Sequence, residues 1–178
     1  MSPKVRGLPI EVVFLPGLIA HRGKLLSTNK LKHIPHRGRE VHAGCFLRQR
    51  RIVLDAELKT QPRELARILT HELFHFAWLR LGNPARRRFE DLLQGEMRRR
   101  VRGELGWSAE RMKAALSRAD RARRTRAWRE YVCESFCDSA AWLLAGSAGN
   151  EELTLPSAAR RARRAWFEQT RLTREISV

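Results

Sequence analysis

The side chains best suited to chemistry lie in the run His71-Glu72-Leu73-Phe74-His75. Residues four apart differ by about 40° around an α-helix, so the two imidazoles can reach a single cation. Glu72 projects from an adjacent direction, where a carboxylate can take a proton from water. Two imidazoles at this spacing suit zinc, bound through nitrogen at about 2.0–2.1 Å, and a catalytic zinc site asks for three protein ligands and one open position. The bland alternative is an amphipathic helix carrying two surface histidines.

No histidine follows His75, so a third ligand further along the chain has to be a carboxylate or a thiolate. Glu134, in Glu134-Ser135-Phe136-Cys137-Asp138, sits in the most apolar stretch of the sequence, where a carboxylate is rarely buried without a partner. Asp138 falls one turn further on the same side, and two carboxylates on one buried face repel unless cations separate them. Zinc on Glu134, with an imidazole N–H donated to Asp138, answers both problems, the second being a common arrangement around a metal-bound histidine. Salt bridges to some of the many arginines would answer them too.

Further candidates surround this set. Tyr131 lies three residues before Glu134 and is read as a catalytic donor to a tetrahedral oxyanion; a core tyrosine is the plainer reading. His42 could play the same part, as could Arg160, Arg161, Arg163 or Arg164 near the C-terminus. Cys133 and Cys137 flank Glu134 and could bind zinc, although cysteine in an apolar helix is more often a small core residue.

HExxH at 71–75 followed by ExxxD at 134–138 resembles the gluzincin branch of zinc metallopeptidases. The second motif is also similar, more weakly, to that of ImmA/IrrE-type peptidases. The resemblance implies a zincin-like fold, His71, His75 and Glu134 as zinc ligands, Glu72 as general base and Asp138 as the group orienting a ligand histidine. It also implies that Arg51-Ile52-Val53-Leu54 is the edge strand lying over the site and pairing with an extended peptide.

The elements that must position these groups are legible in outline. Ile10 to Leu15 is apolar and β-branched and is closed by Pro16-Gly17, a strand. The basic, turn-rich stretch 21–40, with His21, His33 and His36, reads as a loop. Val41 to Leu47 and Arg51 to Leu54 form a hairpin. From Thr60, a plausible N-cap with Pro62 in the first turn, helical periodicity runs to about Leu81, where Gly82-Asn83-Pro84 stops it. Further helices are expected over about 85–102, from Ser108 to Ala119, over 126–145, and from Leu155-Pro156 to about Leu172, with a loop at 146–150. The expected fold is α+β: a small antiparallel N-terminal sheet (1–59) packed on a helical part (60–178) within one domain.

With 178 residues, 43% of them hydrophobic, the chain can bury a core, and its net charge of +17 favours acidic partners. Three cysteines, Cys45, Cys133 and Cys137, make no disulfide framework. The apolar stretch from Leu8 to Ala20 is broken by Pro9, Glu11 and Pro16, a poor leader or membrane span. These features lead to the expectation of a cytoplasmic zinc metallopeptidase acting on a peptide or protein, without a membrane partner. The alternative is a basic nucleic-acid- or ribosome-associated protein, contacting polyanions through its arginine clusters, with a structural or vestigial metal site.

Overall fold

The computed structural model describes residues 3–21, 24–28, 38–145 and 154–178. Its strands are β1 (Lys4–Arg6), β2 (Glu11–Leu15), β3 (Leu18–His21), β4 (Lys24–Ser27), β5 (Arg39–Glu40), β6 (Ala43–Phe46), β7 (Arg51–Asp55) and β8 (Glu175–Ser177). Its helices are α1 (Pro62–Arg80), α2 (Asn83–Arg98), α3 (Trp107–Ala115), α4 (Arg118–Arg123), α5 (Arg126–Ala145) and α6 (Ser157–Gln169). The architecture is therefore mixed α and β, with small sheets against a larger helical body. No described helix is long and apolar enough to cross a membrane.

The sheets depart from the wholly antiparallel arrangement expected. In the sheet ordered β2-β7-β6, β6 and β7 form the antiparallel hairpin, but β2 runs parallel to β7, with Val13 opposite Val53. β7 is thus the central strand, buried from Ile52 to Asp55, and not the edge expected; the edges are β2 and β6. A second sheet, β4-β3-β5, forms partly within the stretch expected to be a loop. It follows directly from β2 because Gly17, at a φ of 54°, turns the chain, and the Leu18 amide donates to the buried Asp55 carboxylate at 3.2 Å. His33, His36 and the expected loop at 146–150 lie outside the described residues. β8 pairs in parallel with β1 and joins the two ends of the chain.

The helical periodicity is realised with shifted boundaries. A 3₁₀ turn over Ala56–Thr60 precedes α1, so Gln61, and not Thr60, occupies the N-cap position, with Pro62 in the first turn as expected. The third helix begins after Gly106, and Ser117 caps α4 through a reciprocal bond with Asp120. α5 is the central element: Trp128, Tyr131, Val132, Ser135, Phe136, Cys137, Asp138, Ser139, Ala140 and Ala141 are all buried. Phe136 stacks on Phe167 of α6 at 5.2 Å and also meets Phe74 and Trp78 of α1 and Phe89 of α2. One aromatic cluster thus fixes α1, α2 and α6 against the helix that carries Glu134.

A charged cluster lies on another side of α5. The Arg163 guanidinium, fully buried, donates to both oxygens of Glu96 and both of Glu104. Lys113 approaches Glu104 at 3.1 Å, and Ser135 and Tyr131 of α5 donate to it. Two cations thus face two carboxylates, the only form in which such burial is tolerable. Burial acts to raise the Glu104 carboxyl, but Arg163, then Lys113 and Tyr131, override it and bring it down to about 2.

Candidate metal centre

α1 and α5 bring the two motifs together. His71 and His75 lie on one face of α1, with ring centroids 5.0 Å apart. Glu134, on the facing side of α5, spans them: Oε2 stands 3.5 Å from His71 Nε2, and Oε1 stands 3.7 Å from His75 Nε2. Ligand atoms on a tetrahedral zinc with bonds of about 2.0–2.1 Å are separated by roughly 3.3 Å, and each imidazole has a different Glu134 oxygen near that spacing. Asp138 takes its expected place, with Oδ1 2.8 Å from His71 Nδ1. His71 thus turns Nδ1 to Asp138 and Nε2 towards Glu134, the ring orientation a ligand needs.

The electrostatics follow from burial and proximity. Burial alone would lower His71, but hydrogen bonds to Asp138 and Glu134 hold it well above the ordinary histidine range. His75 is raised on balance in the same way, with Cys133 and Glu134 opposing desolvation. Glu134, pushed up by burial, is brought below the ordinary range by the two imidazoles and the nearby Arg39 charge. Burial raises Glu72, the direction that strengthens it as a base. A divalent cation would replace the protons on the two Nε2 atoms and balance the acidic set.

His71, His75 and Cys137 also each bring one possible ligand atom within 4.8 Å of the other two. Cys137 is the weaker third ligand. It is fully buried, its thiol is pushed well up by that burial, and it does not line the cleft in which the imidazoles lie. Glu134 lines that cleft, is ionised and faces both Nε2 atoms.

The cleft is about 710 Å³ and is lined by the stretch Arg39–Ala43 with Cys45 and Leu47, by Gly106, Trp107 and Ser108, and by His71, Glu72, His75 and Glu134. Tyr131 is not in it. Its side chain is fully buried and its hydroxyl donates to Glu104 at 2.6 Å, so the expected oxyanion donor serves the charged cluster. The same correction applies to Arg163, whose five donors are turned towards Glu96, Glu104 and Ser139; Arg160, Arg161 and Arg164 do not line the cleft either. His42 does, and so does Arg39, whose guanidinium lies over the Trp107 ring at 5.7 Å.

Two contributors escaped sequence reasoning. Gly106, just before α3, lies flush against the Asp138 carboxylate, where a Cβ would collide with both oxygens and Cγ. Trp107, 57% exposed, stands at the cleft wall between Arg39 and Arg111. The Gly-Trp pair at the start of a helix was the available signal. No family model, curated protein or solved structure matches the chain.

Proposed function

We propose that the protein is a zinc-dependent metallopeptidase of gluzincin type on a zincin-like scaffold. The observation that carries this reading is the bridging of His71 Nε2 and His75 Nε2 by the two oxygens of Glu134, with Asp138 fixing the His71 ring. His71, His75 and Glu134 would hold the ion, which supplies Lewis acidity that acidifies water and polarises a carbonyl. Glu72, on the same turn of α1 and lining the cleft, would accept the proton of the attacking water and return it to the departing amine. Arg39 and His42, in place of Tyr131, are the cleft-lining donors for a developing oxyanion. Among the described residues β6 pairs only with β7, leaving its outer edge for an extended peptide to join by main-chain pairing.

Metal analysis and proteolysis test this together. One zinc per chain is expected, lost in His71→Ala and kept in Glu72→Gln, while Glu72→Gln abolishes peptide hydrolysis. A protein without zinc, or one whose zinc survives loss of His71, overturns the reading.

One observation favours a second reading, a polyanion-binding protein with a structural or vestigial metal. Arg87 and Arg88, Arg98 to Arg100, Arg123 and Arg124, and Arg161 and Arg164 are exposed on or beside α2, α4 and α6, in a chain of net charge +17. Phosphate contacts of that kind make binding steeply salt-dependent. If Glu72→Gln retains the biological activity while neutralising these arginines removes it, this second reading replaces the first.

A further inference from the structure

With both Nε2 atoms turned to Glu134, each imidazole has one nitrogen left to fix the plane of its ring. For His71 that nitrogen meets a carboxylate, Asp138. For His75 it meets sulfur: Nδ1 lies 3.5 Å from Cys133 Sγ. Cys133 immediately precedes Glu134 in α5, and Asp138 follows it by one turn, so a single helix supplies the bridging carboxylate and an outer partner for each histidine. Cys137, buried one turn beyond Cys133 on the same helix, is the neighbouring thiol and serves as the comparison.

We propose that Cys133 is the positioning residue for His75, fixing its Nδ1–H tautomer and ring plane as Asp138 does for His71. The inference rests on the metal-site reading above, but the contact it concerns belongs to the side chains themselves. Sulfur is a weaker hydrogen-bond acceptor than a carboxylate. His75 is therefore the more loosely held of the two arms, and the two halves of the site are not equivalent. Removing an outer-shell partner of a ligand histidine typically costs about 10–100-fold in metal affinity; a weak acceptor belongs at the lower end, about tenfold.

Two readouts on the full chain test this, with Cys133→Ala, Cys133→Ser and Cys137→Ala as variants. The first is the histidine side-chain ¹⁵N spectrum of the protein stripped of metal, which reads tautomer and hydrogen bonding without reference to zinc. Cys133→Ala is expected to shift the His75 ring nitrogens and leave those of His71 in place, and the hydroxyl of Cys133→Ser, a shorter acceptor, restores part of the shift. Should Cys133→Ala fail to fold, the serine variant alone still gives the comparison between the two rings. The second readout is zinc affinity by chelator competition: about tenfold weaker in Cys133→Ala, less affected in Cys133→Ser and Cys137→Ala.

His75 resonances indifferent to the loss of the thiol overturn the proposal, as does zinc affinity within twofold of the unchanged protein. Sulfur-to-cobalt charge-transfer absorption in the cobalt-substituted protein also overturns it, since a cysteine would then be a ligand and not a positioning group. Failure of the metal-site reading shows differently: zinc content is indifferent to His71→Ala, whatever the His75 spectrum does.

Discussion

Gly106→Ala should weaken zinc binding from a position that touches neither histidine. A Cβ at Gly106 would stand 2.5 Å from Asp138 Oδ1, the oxygen bonded to His71 Nδ1 at 2.8 Å. Ordinary contact begins at 3.4 Å and Oδ2 would stand at 2.3 Å, so the carboxylate or the chain at 106 must retreat by about 1.1 Å. An N–H···O bond tolerates only about 0.5 Å between its short and long limits. The backbone is the stiffer partner, because Gly106 joins the charged loop residue Glu104 to the first turn of α3, and the Glu110 amide bonds back to its carbonyl. The carboxylate should therefore move, and with it the ring it orients. The expected loss is about 10–100-fold in zinc affinity, or roughly 1.4–2.8 kcal/mol. Competition with a chromogenic chelator measures this directly, with Asp138→Asn as the benchmark for losing the acceptor. If Gly106→Ala binds zinc within twofold of the unchanged protein while its melting temperature falls, the loop has yielded and the reasoning is refuted.

Other outcomes follow from the same geometry. Tyr131→Phe should leave zinc affinity and catalysis unchanged while costing about 1–3 kcal/mol in urea unfolding, since its hydroxyl serves buried Glu104 and not the cleft; a fall in turnover without a fall in stability would return it to the active site. Arg163→Met should destabilise by about 3–5 kcal/mol, because buried Glu96 loses its arginine partner and buried Glu104 keeps only Lys113 as a cation; unfolding curves that coincide with the unchanged protein would contradict this. Glu104 has a folded-state carboxyl held near 2, below its ordinary value of 4.5. The stability it contributes is present above pH 4.5 and is lost as pH falls towards about 2. The stability gap between the unchanged protein and Glu104→Gln should therefore narrow across that window, and a gap constant with pH would exclude the linkage. Phe136→Ala should cost about 3–5 kcal/mol by emptying the centre of the aromatic cluster, checked by the same unfolding assay.

What the sequence disclosed, it disclosed through short-range regularity. The spacing of His71 and His75, and of Glu134 and Asp138, is one helical turn, and a turn has a fixed geometry wherever it lies. Both pairs accordingly face each other as expected. The parallel pairings of β2 with β7 and of β1 with β8 join residues about forty and one hundred and seventy positions apart, and nothing local marks them. β3 and β4 were hidden by the basic residues around them. Tyr131 was misplaced for a related reason: helical periodicity says that it lies near Glu134 around the axis, but not that Glu104 waits beside it. Arg163, one of a run of four arginine-rich positions, carried no mark that it alone would be turned inward.

The buried guanidinium of Arg163 has a consequence for how an ion would come and go. Ser135 and Tyr131 of α5 bond to Glu104, and Ser139 to Arg163, so the helix is locked in rotation and register by contacts that no ion takes part in. A chelator should then strip zinc from a chain that stays folded, and the ion should return without any refolding delay, in contrast to small zinc modules, in which coordination and folding are one event.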